Sequence, residues 1–454
     1  MDKGTLFLKK LERFGIKPGL ERIEALLQLA GEPHQTFPSV LIGGTNGKGS
    51  TAAFLTAILS HAGYKVATYT SPHLVRERER IQVNQQPISA EQWAEHLQWA
   101  EQAVEQVSAA TSCGAPTQFE VLTAVAFRYF AQEKVDIAVV EVGLGGRWDA
   151  TNILEPAVSI ITSIALDHTD RLGPDPFTIA KDKLGIARPR RPLVTAERRP
   201  SVLNLFYETA ALLPCPLVRV GKDINWSLHQ MEETASEVTF QTKTDRYRVR
   251  LGLAGGHQLP NFGCALAAAE ALSERGWTIP KEAILAGAAT ARCPGRLQLI
   301  DLSPFGKESR LLLDGAHNPA GAAVLARSLA SLFRFRRLFL IVGFLKDKNA
   351  SAFLSRLAPL ADVIYCVEPP SPRALPLFEL VLLASQFGNT VKGVPDPLQA
   401  LYSALEESGP EDLICATGSL YVIGTLLNET LDAIRDFRQE SPANVSSPSS
   451  RPLN

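Results

Sequence analysis

Gly43-Gly44-Thr45-Asn46-Gly47-Lys48-Gly49-Ser50-Thr51 follows the apolar run Val40-Leu41-Ile42 and precedes an amphipathic stretch over residues 50–61. Apolar strand, glycine loop and helix is the context in which backbone N–H groups wrap a polyphosphate. The glycines let the main chain approach phosphate oxygens. Lys48 reaches the terminal phosphates, and the hydroxyl of Ser50 or Thr51 holds Mg²⁺. The spacing is not that of the ordinary P-loop, which needs Gly where Ile42 stands and Ser or Thr where Gly49 intervenes. The plainer reading is a turn that uses glycine for geometry alone. Position, lysine and hydroxyls together favour nucleotide binding.

A chain of 454 residues is too long for one core and predicts two or three domains. Its net charge of −1 gives no broad pull towards nucleic acid or an anionic membrane. The basic runs at 188–199 and 334–337 read as solvated faces or local anion sites. Cysteines 113, 215, 264, 293, 366 and 415 include no CxxC pair, which suits a reducing compartment. The N-terminus lacks a signal-peptide core, and no apolar run reaches the length of a membrane span. The expectation is a soluble, cytoplasmic protein.

Residues 5–30 read as two helices broken by Gly15 to Leu20. After the loop, strands are predicted at 65–69, 136–142, 157–164 and 192–195, with helices over 90–108, 119–132 and from Pro176. Continuous apolar strands between helices predict a parallel sheet buried on both faces. Residues 217–220, 238–240 and 247–251 read as short antiparallel strands, and residues 258–274 as an alanine-rich helix. The main boundary falls at Cys293. The expected domains are an ATP-binding domain over 1–292, a Rossmann-like domain over 293–437, and a disordered tail over 438–454. The second domain is predicted from strands at 311–313, 338–342, 362–367, 391–394 and 413–416 alternating with helices at 319–333, 350–358, 374–386, 396–407 and 419–435. The fold class is thus α/β: a doubly wound parallel-sheet P-loop domain with a small antiparallel β portion, then a Rossmann-like α/β domain.

Ligands of open parallel sheets sit beyond the carboxyl ends of the strands. Four such ends carry reactive groups: Lys48 with Ser50, Ser71 with His73, Glu141, and Asp167 with His168. Hydroxyl, carboxylate and imidazole at one sheet edge can hold Mg²⁺ beside a phosphate, although His168 is an unusual member of a magnesium site. Glu141 inside an apolar run needs a cation or a donor, and the plain reading pairs it with Arg147. In the second domain Asp314-Gly315-Ala316-His317-Asn318-Pro319 follows a buried strand, and Asn318 also reads as a helix cap with Pro at the next position.

These segments together resemble the folylpolyglutamate synthase/dihydrofolate synthase family, a branch of the Mur ligases. The motifs that carry the resemblance are Gly44 to Thr51, Ser71-Pro72-His73-Leu74, Glu141 to Arg147 with Asp149-Ala150-Thr151-Asn152, and Leu166-Asp167-His168. Lys183-Leu184-Gly185-Ile186, His257-Gln258 with Asn261, Pro294-Gly295-Arg296, Asp314 to Pro319 and Gly418-Ser419-Leu420-Tyr421 continue it, in family order. The resemblance implies a ligase that joins L-glutamate to dihydropteroate, to a tetrahydrofolate or to both, and the pterin-facing loops make the bifunctional type the first choice. ATP phosphorylates the carboxylate, and the glutamate amine displaces phosphate. By position it implies ATP contacts from Asn46, Gly47, Lys48, Gly49, Ser50, Asn261, Arg296 and Asp314, and Mg²⁺ ligands Ser50, Ser71, Glu141 and His168. It implies a carbamylated Lys183, with Lys48, Lys183 and His317 in catalysis and His317 with Ser419 near the glutamate. The pterin would meet Gly19-Leu20-Glu21-Arg22, Thr117-Gln118-Phe119-Glu120 and Trp148-Asp149-Ala150. ATP, two Mg²⁺ ions and a monovalent cation such as K⁺ are the implied cofactors. The implied protein is a monomer with small-molecule substrates and neither nucleic-acid nor membrane partners. Asp182 and Leu184 depart from the residues most common in the family, and both leave Lys183 in place.

Two other readings share the loop. A Mur-type ligase acting on a cell-wall precursor would need a further N-terminal domain, whereas about 40 residues precede the loop. A non-enzymatic, ATP-gated binding module would leave the Asp314–Pro319 segment without a purpose.

Overall fold

The computed structural model describes residues 3–12, 15, 17–110, 114–302 and 309–429. Cys113, the end of the expected last helix and the tail expected over 438–454 lie outside them. The chain divides into two compact units, Met1–Leu297 with Asn318–Phe333 and Asp347–Asn349, and Gln298–His317 with Arg334–Lys346 and Ala350–Asn454. The division follows Leu297, and the helix that opens at Pro319 belongs to the first unit.

The first unit is built on an eight-stranded sheet. Its strands are β1 (Ser39–Gly43), β2 (Val66–Tyr69), β3 (Ile81–Val83), β4 (Gln86–Pro87), β5 (Ile137–Glu141), β6 (Val158–Ile161), β7 (Leu193–Thr195) and β8 (Leu217–Arg219), in the order β4-β3-β2-β5-β1-β6-β7-β8. The six strands from β2 to β8 run parallel, and β3 and β4 add an antiparallel edge. Residues 217–220 were expected to pair antiparallel. They instead continue the main sheet, where Leu193 to Thr195 lies in parallel register with Leu217 to Arg219. The antiparallel portion is β9 (Asn225–Met231), β10 (Ser236–Gln241) and β11 (Arg246–Leu251). β9 escapes a pattern reading because most of its residues face solvent.

Successive strand residues point to opposite faces, so a strand with no polar residue feeds two cores at once. Leu41, Ala138 and Val140 enter one core with helices α1 (Lys3–Glu12), α2 (Glu21–Leu29), α4 (Ala90–Ala110) and α5 (Gln118–Gln132). Val40, Ile42, Ile137 and Val139 enter the other, with α3 (Lys48–His61), α9 (Gln258–Ser273) and α10 (Lys281–Thr290). Helices α7 (Pro176–Lys183) and α8 (Pro200–Leu212) also join the first core, through Ile179, Ala180, Val202 and Phe206, and the short α6 (Thr169–Leu172) precedes them in the chain. The helix pattern reading omitted α8 and α10, although Pro200 at the first turn marks the start of α8.

Helix α10 lies directly on α3. A Cβ added at Gly287 would fall 2.5 Å from the backbone nitrogen of Ile58. Alanine is intrinsically about 1 kcal/mol better than glycine in a helix, but neither backbone can yield here. Gly287→Ala is therefore expected to destabilise the chain by about 2 kcal/mol net, within the range of overpacked cores. Urea unfolding checks this, and an unchanged or higher midpoint would refute the close approach.

The second unit is a six-stranded sheet in the order β12-β13-β17-β14-β15-β16. These strands are β12 (Gln298–Asp301), β13 (Arg310–Leu313), β14 (Leu338–Val342), β15 (Val363–Cys366), β16 (Thr390–Gly393) and β17 (Leu413–Thr417). β12 is antiparallel and the rest are parallel, as a Rossmann-like unit requires. No described helix is long and apolar enough to cross a membrane.

Candidate active site

The site forms where β1, β2, β5 and β6 end. Past β1, Gly44 (φ 135°) and Gly47 (φ 91°) take left-handed backbone conformations. A Cβ would lie 2.0 Å from Thr162 Oγ1 at Gly44 and 2.3 Å from Asn261 Oδ1 at Gly47. Both positions therefore need glycine. The exit of β6 anchors the loop. Thr45 N–H donates to the Ser163 carbonyl at 2.7 Å, and Thr45 Oγ1 accepts from Ala165 N–H at 3.0 Å. The Asn46 carbonyl accepts from Thr162 Oγ1 at 2.7 Å and Ser163 Oγ at 3.1 Å. A loop held this way keeps its N–H groups oriented, and α3 adds the partial positive charge of its N-terminus.

Lys48 and Ser50 begin α3. Lys48 Nζ lies 3.7 Å from Glu141 Oε1, and Ser71 N–H donates to Glu141 Oε2 at 3.3 Å. The expected pairing of Glu141 with Arg147 does not form: Lys48 supplies the cation and Arg147 is exposed. Burial pushes the Glu141 carboxyl above its ordinary range, with Lys48 the chief opposing influence and the charge of Arg296 a smaller one. A buried carboxylate held by one loose ion pair is a ready ligand for a cation. Gly49 lies beside it, and a Cβ there would make ordinary contact with Glu141 Oε2 at 3.6 Å. Ser50 is buried and accepts from Gln258 Nε2 at 3.3 Å, while Asn261 Nδ2 donates to Gln258 Oε1 at 2.9 Å. Asn261 is thereby tied to the start of α3.

Carboxylate and hydroxyl donors of this kind fit a largely hydrated Mg²⁺, which takes one or two carboxylates and keeps several waters. Among the described residues no three His, Cys, Asp or Glu side chains group to hold a metal. His168, expected among the ligands, has φ 50° and turns its ring towards Asp167, 3.8 Å away. His73 receives Arg80 Nε–H on Nδ1 at 3.0 Å, and burial with the Arg80 charge lowers its pKa to about 3.

Lys183 is the last residue of α7 and is buried. Its Nζ donates to the Gly44 carbonyl at 3.1 Å, so it lies against the glycine loop that follows β1. Burial, reinforced by the charge of Lys48, lowers its pKa to about 7 against the opposing pull of Asp182, Asp167 and Asp149. Gly146 permits this placement, because a Cβ there would sit 2.8 Å from Lys183 Cα.

The residues expected to meet a pterin fall into two groups. Arg22 and Glu120 are buried and paired, with Nε 3.0 and 3.1 Å from the two carboxylate oxygens. Glu120 also completes a capping box with Thr117 at the start of α5. Asp149 is buried and accepts from the N–H groups of Leu144 (2.9 Å) and Thr151 (3.0 Å). These charges are used within the fold. Trp148, at 54% exposure, and Phe119, whose ring lies over Gly143 and beside Tyr69, remain as apolar surface. Gly19, Leu20, Glu21 and Gln118 are partly or fully exposed, and Ala150 is buried. Arg22→Ala is expected to cost about 3–5 kcal/mol of stability by stranding Glu120. The double variant Arg22→Met with Glu120→Leu is expected to recover most of it in urea unfolding. A single variant as stable as wild type would leave Arg22 available for ligand.

Asn318 caps α11 (Pro319–Leu332), accepting from Gly321 N–H at 2.8 Å. It also donates Nδ2–H to Asn46 Oδ1 at 3.1 Å and Asp167 Oδ2 at 3.0 Å. Lys348 Nζ donates to the other Asp167 oxygen at 2.7 Å. Sequence reasoning passed over Lys348, whose one signal is a polar Asp347-Lys348-Asn349 run beyond β14. In the second unit Asp314 is buried beyond β13 and accepts from Ala316 N–H at 2.9 Å. There His317 Nδ1 lies 2.8 Å from the Gly315 carbonyl, and Ser419 Oγ accepts from Tyr421 N–H at 3.2 Å.

Residues 42–269 match the Mur ligase middle domain, and residues 295–420 the Mur ligase, glutamate ligase domain. The chain is 36% identical over 417 residues to the dihydrofolate synthase/folylpolyglutamate synthase of Bacillus subtilis, covering 91% of this chain and 95% of that one. Folylpolyglutamate synthase of Mycobacterium tuberculosis, solved with ADP, superposes with a TM-score of 0.86 at 33% identity, covering 94% and 99% of the two chains. Escherichia coli FolC, solved with DHPP and ADP, superposes with a TM-score of 0.84 at 32% identity, covering 96% and 99%.

Proposed function

The chain belongs to the folylpolyglutamate synthase/dihydrofolate synthase family of Mur ligases, and we propose that it uses ATP to join L-glutamate to the carboxylate of dihydropteroate and of folates. The observation that carries this reading is the grouping of Lys48, Ser71 and Glu141 at neighbouring strand ends, with buried Lys183 on the Gly44 carbonyl. That grouping supports a site for polyphosphate and a divalent cation. A carboxylate is a poor electrophile because hydroxide leaves badly, whereas an acyl phosphate releases phosphate readily. The protein's share is therefore positioning and charge neutralisation.

The phosphate loop from Asn46 to Ser50 binds the phosphates, and Lys48 neutralises charge as it moves onto the transferred group. Asn261 and Arg296 are assigned to ATP. Ser50, Ser71 and Glu141 would hold Mg²⁺, which when bound screens the phosphate oxygens. The orientation of His168 towards Asp167 makes it the weakest member of the expected ligand set. Carbamylation of Lys183 is supported by its lowered pKa, since only the neutral amine attacks CO₂. Trp148 and Phe119 offer aromatic surface for a pterin. His317 and Ser419 are assigned to the glutamate end.

A substrate panel tests the reading. ADP release is measured with Mg²⁺, ATP and glutamate, against dihydropteroate and tetrahydrofolate separately. Glutamate-dependent release with both pterins is expected. Release with neither, but with a UDP-linked cell-wall precursor, would move the chain to another branch. Release indifferent to glutamate and to every acceptor would leave an ATP-gated module.

A further inference from the structure

We infer that Lys348 is a positioning residue for the phosphate-binding loop, acting through Asp167 and Asn318 on Asn46. The inference rests on the nucleotide reading of that loop. All four residues belong to the first compact unit.

An asparagine amide can sit in either of two flipped orientations, and only its partners decide between them. For Asn318 the partners are unambiguous. Its Oδ1 accepts from the Gly321 backbone N–H, a donor only, at 2.8 Å. Its Nδ2 donates to a carboxylate oxygen of Asp167 at 3.0 Å. The Asn318 amide is thus fixed, and it fixes the next one: Asn46 Oδ1 accepts from Asn318 Nδ2 at 3.1 Å, and Asn46 Nδ2 faces Asn318 Oδ1 at 3.4 Å. With its carbonyl already held by Thr162 and Ser163, Asn46 is constrained in backbone and side chain together.

The chain of contacts depends on the Asp167 carboxyl group being held in a fixed place, between Lys348 and Asn318. Its side chain is only 11% exposed, and the Lys348 side chain is 9% exposed. A carboxylate so far from water needs a partner, and Lys348 Nζ provides it at 2.7 Å, with Asp347 a further 3.7 Å contact for the same ammonium. Without that contact Asp167 Oδ1 keeps the His168 backbone N–H but loses the ammonium that holds the carboxyl group against Asn318, and a turn of that group towards water removes the acceptor that orients Asn318.

The test is ADP binding by calorimetry to the full chain with Mg²⁺, alongside thermal unfolding. Lys348→Met keeps the apolar stem and removes the charge. It is expected to weaken ADP about tenfold, a coupling of ordinary size for one polar network. Lys348→Arg is expected to restore binding to within about threefold. Asp167→Ala combined with Lys348→Met is expected to bind no more weakly than the weaker single variant, because both break the same chain. Wild-type affinity in Lys348→Met overturns the inference, as does a fall in kcat at unchanged ADP affinity, which would mean that Lys348 touches the reacting atoms. Additive losses in the double variant overturn it as well. Should Lys348→Met fail to fold, Lys348→Arg and Asp167→Ala carry the comparison, and Asp167→Ala with wild-type affinity overturns it. A wild-type chain that does not bind ADP removes the nucleotide reading and this inference together; normal wild-type binding with an unaffected Lys348→Met removes this inference alone.

Discussion

Lys48→Ala is expected to lower kcat/KM for ATP-dependent glutamate addition by about 10³-fold, the scale of losing a preorganised charge at a phosphoryl-transfer site. The lysine opens α3 and its ammonium faces Glu141 at 3.7 Å and the Thr45 carbonyl at 3.4 Å. Those contacts are long, as befits a group held ready for a stronger partner. The loss should be one of function and not of fold. Burial already pushes the Glu141 carboxyl upward, so removal of the cation lets it take up a proton instead of standing as a buried unpaired charge. The comparison variant is Glu141→Gln, which keeps the shape and removes the charge. Steady-state kinetics with thermal unfolding as control decides the matter. Lys48→Ala with more than a tenth of wild-type activity would remove Lys48 from the site.

Replacement of Lys183 is the second large effect. Lys183→Ala is expected to cost about 10²–10³-fold in kcat while ADP affinity changes little. A neutral amine is the nucleophile for CO₂, and the Lys183 pKa is lowered to about 7, burial being the main cause. The direction follows from that shift. Below pH 7 the group is increasingly protonated and cannot react; above pH 7 it is mostly neutral. Between pH 6 and pH 8 the neutral fraction rises from roughly a tenth to roughly nine-tenths. Enzyme prepared in CO₂-depleted buffer should therefore regain activity on addition of bicarbonate, and regain more at pH 8 than at pH 6. An ordinary lysine with a pKa near 10.4 would be almost wholly protonated at both values. Activity indifferent to CO₂ at every pH, with Lys183→Ala still inactive, would leave Lys183 a charge-positioning group.

Much of this site was legible residue by residue. Gly43 to Thr51 could be recognised because a strand, a left-handed turn and a helix start each demand particular residue types. Asn318 could be read as a cap because Pro319 follows it. Ser71 and Glu141 could be placed at strand ends because the apolar runs that precede them are short and continuous. Other assignments depended on what lies across the fold. Glu141 has Arg147 six residues away in sequence, yet its partner is Lys48. Arg22 and Glu120 suggested a ligand site, yet each is the other's partner across 98 positions. Residues 217–220 carry the same β signal whether parallel or antiparallel, and only the neighbouring strand Leu193–Thr195 decides between them.

Local sequence was enough for the alternation of strands and helices, the glycine positions that the loop after β1 requires, and the set of chemical groups that end up at the strand carboxyl ends. These are local matters: periodicity, backbone φ and residue type act within a few positions of one another. Tertiary structure alone decided which charges pair, which amide orientation Asn46 adopts, and that Lys183 is an amine of lowered pKa instead of a surface cation. Those properties depend on burial and on partners brought from more than a hundred residues away, as Gly44 is to Lys183 and Asn318 to Asn46. Desolvation and ion pairing act through distance in space, and no spacing along the chain encodes them.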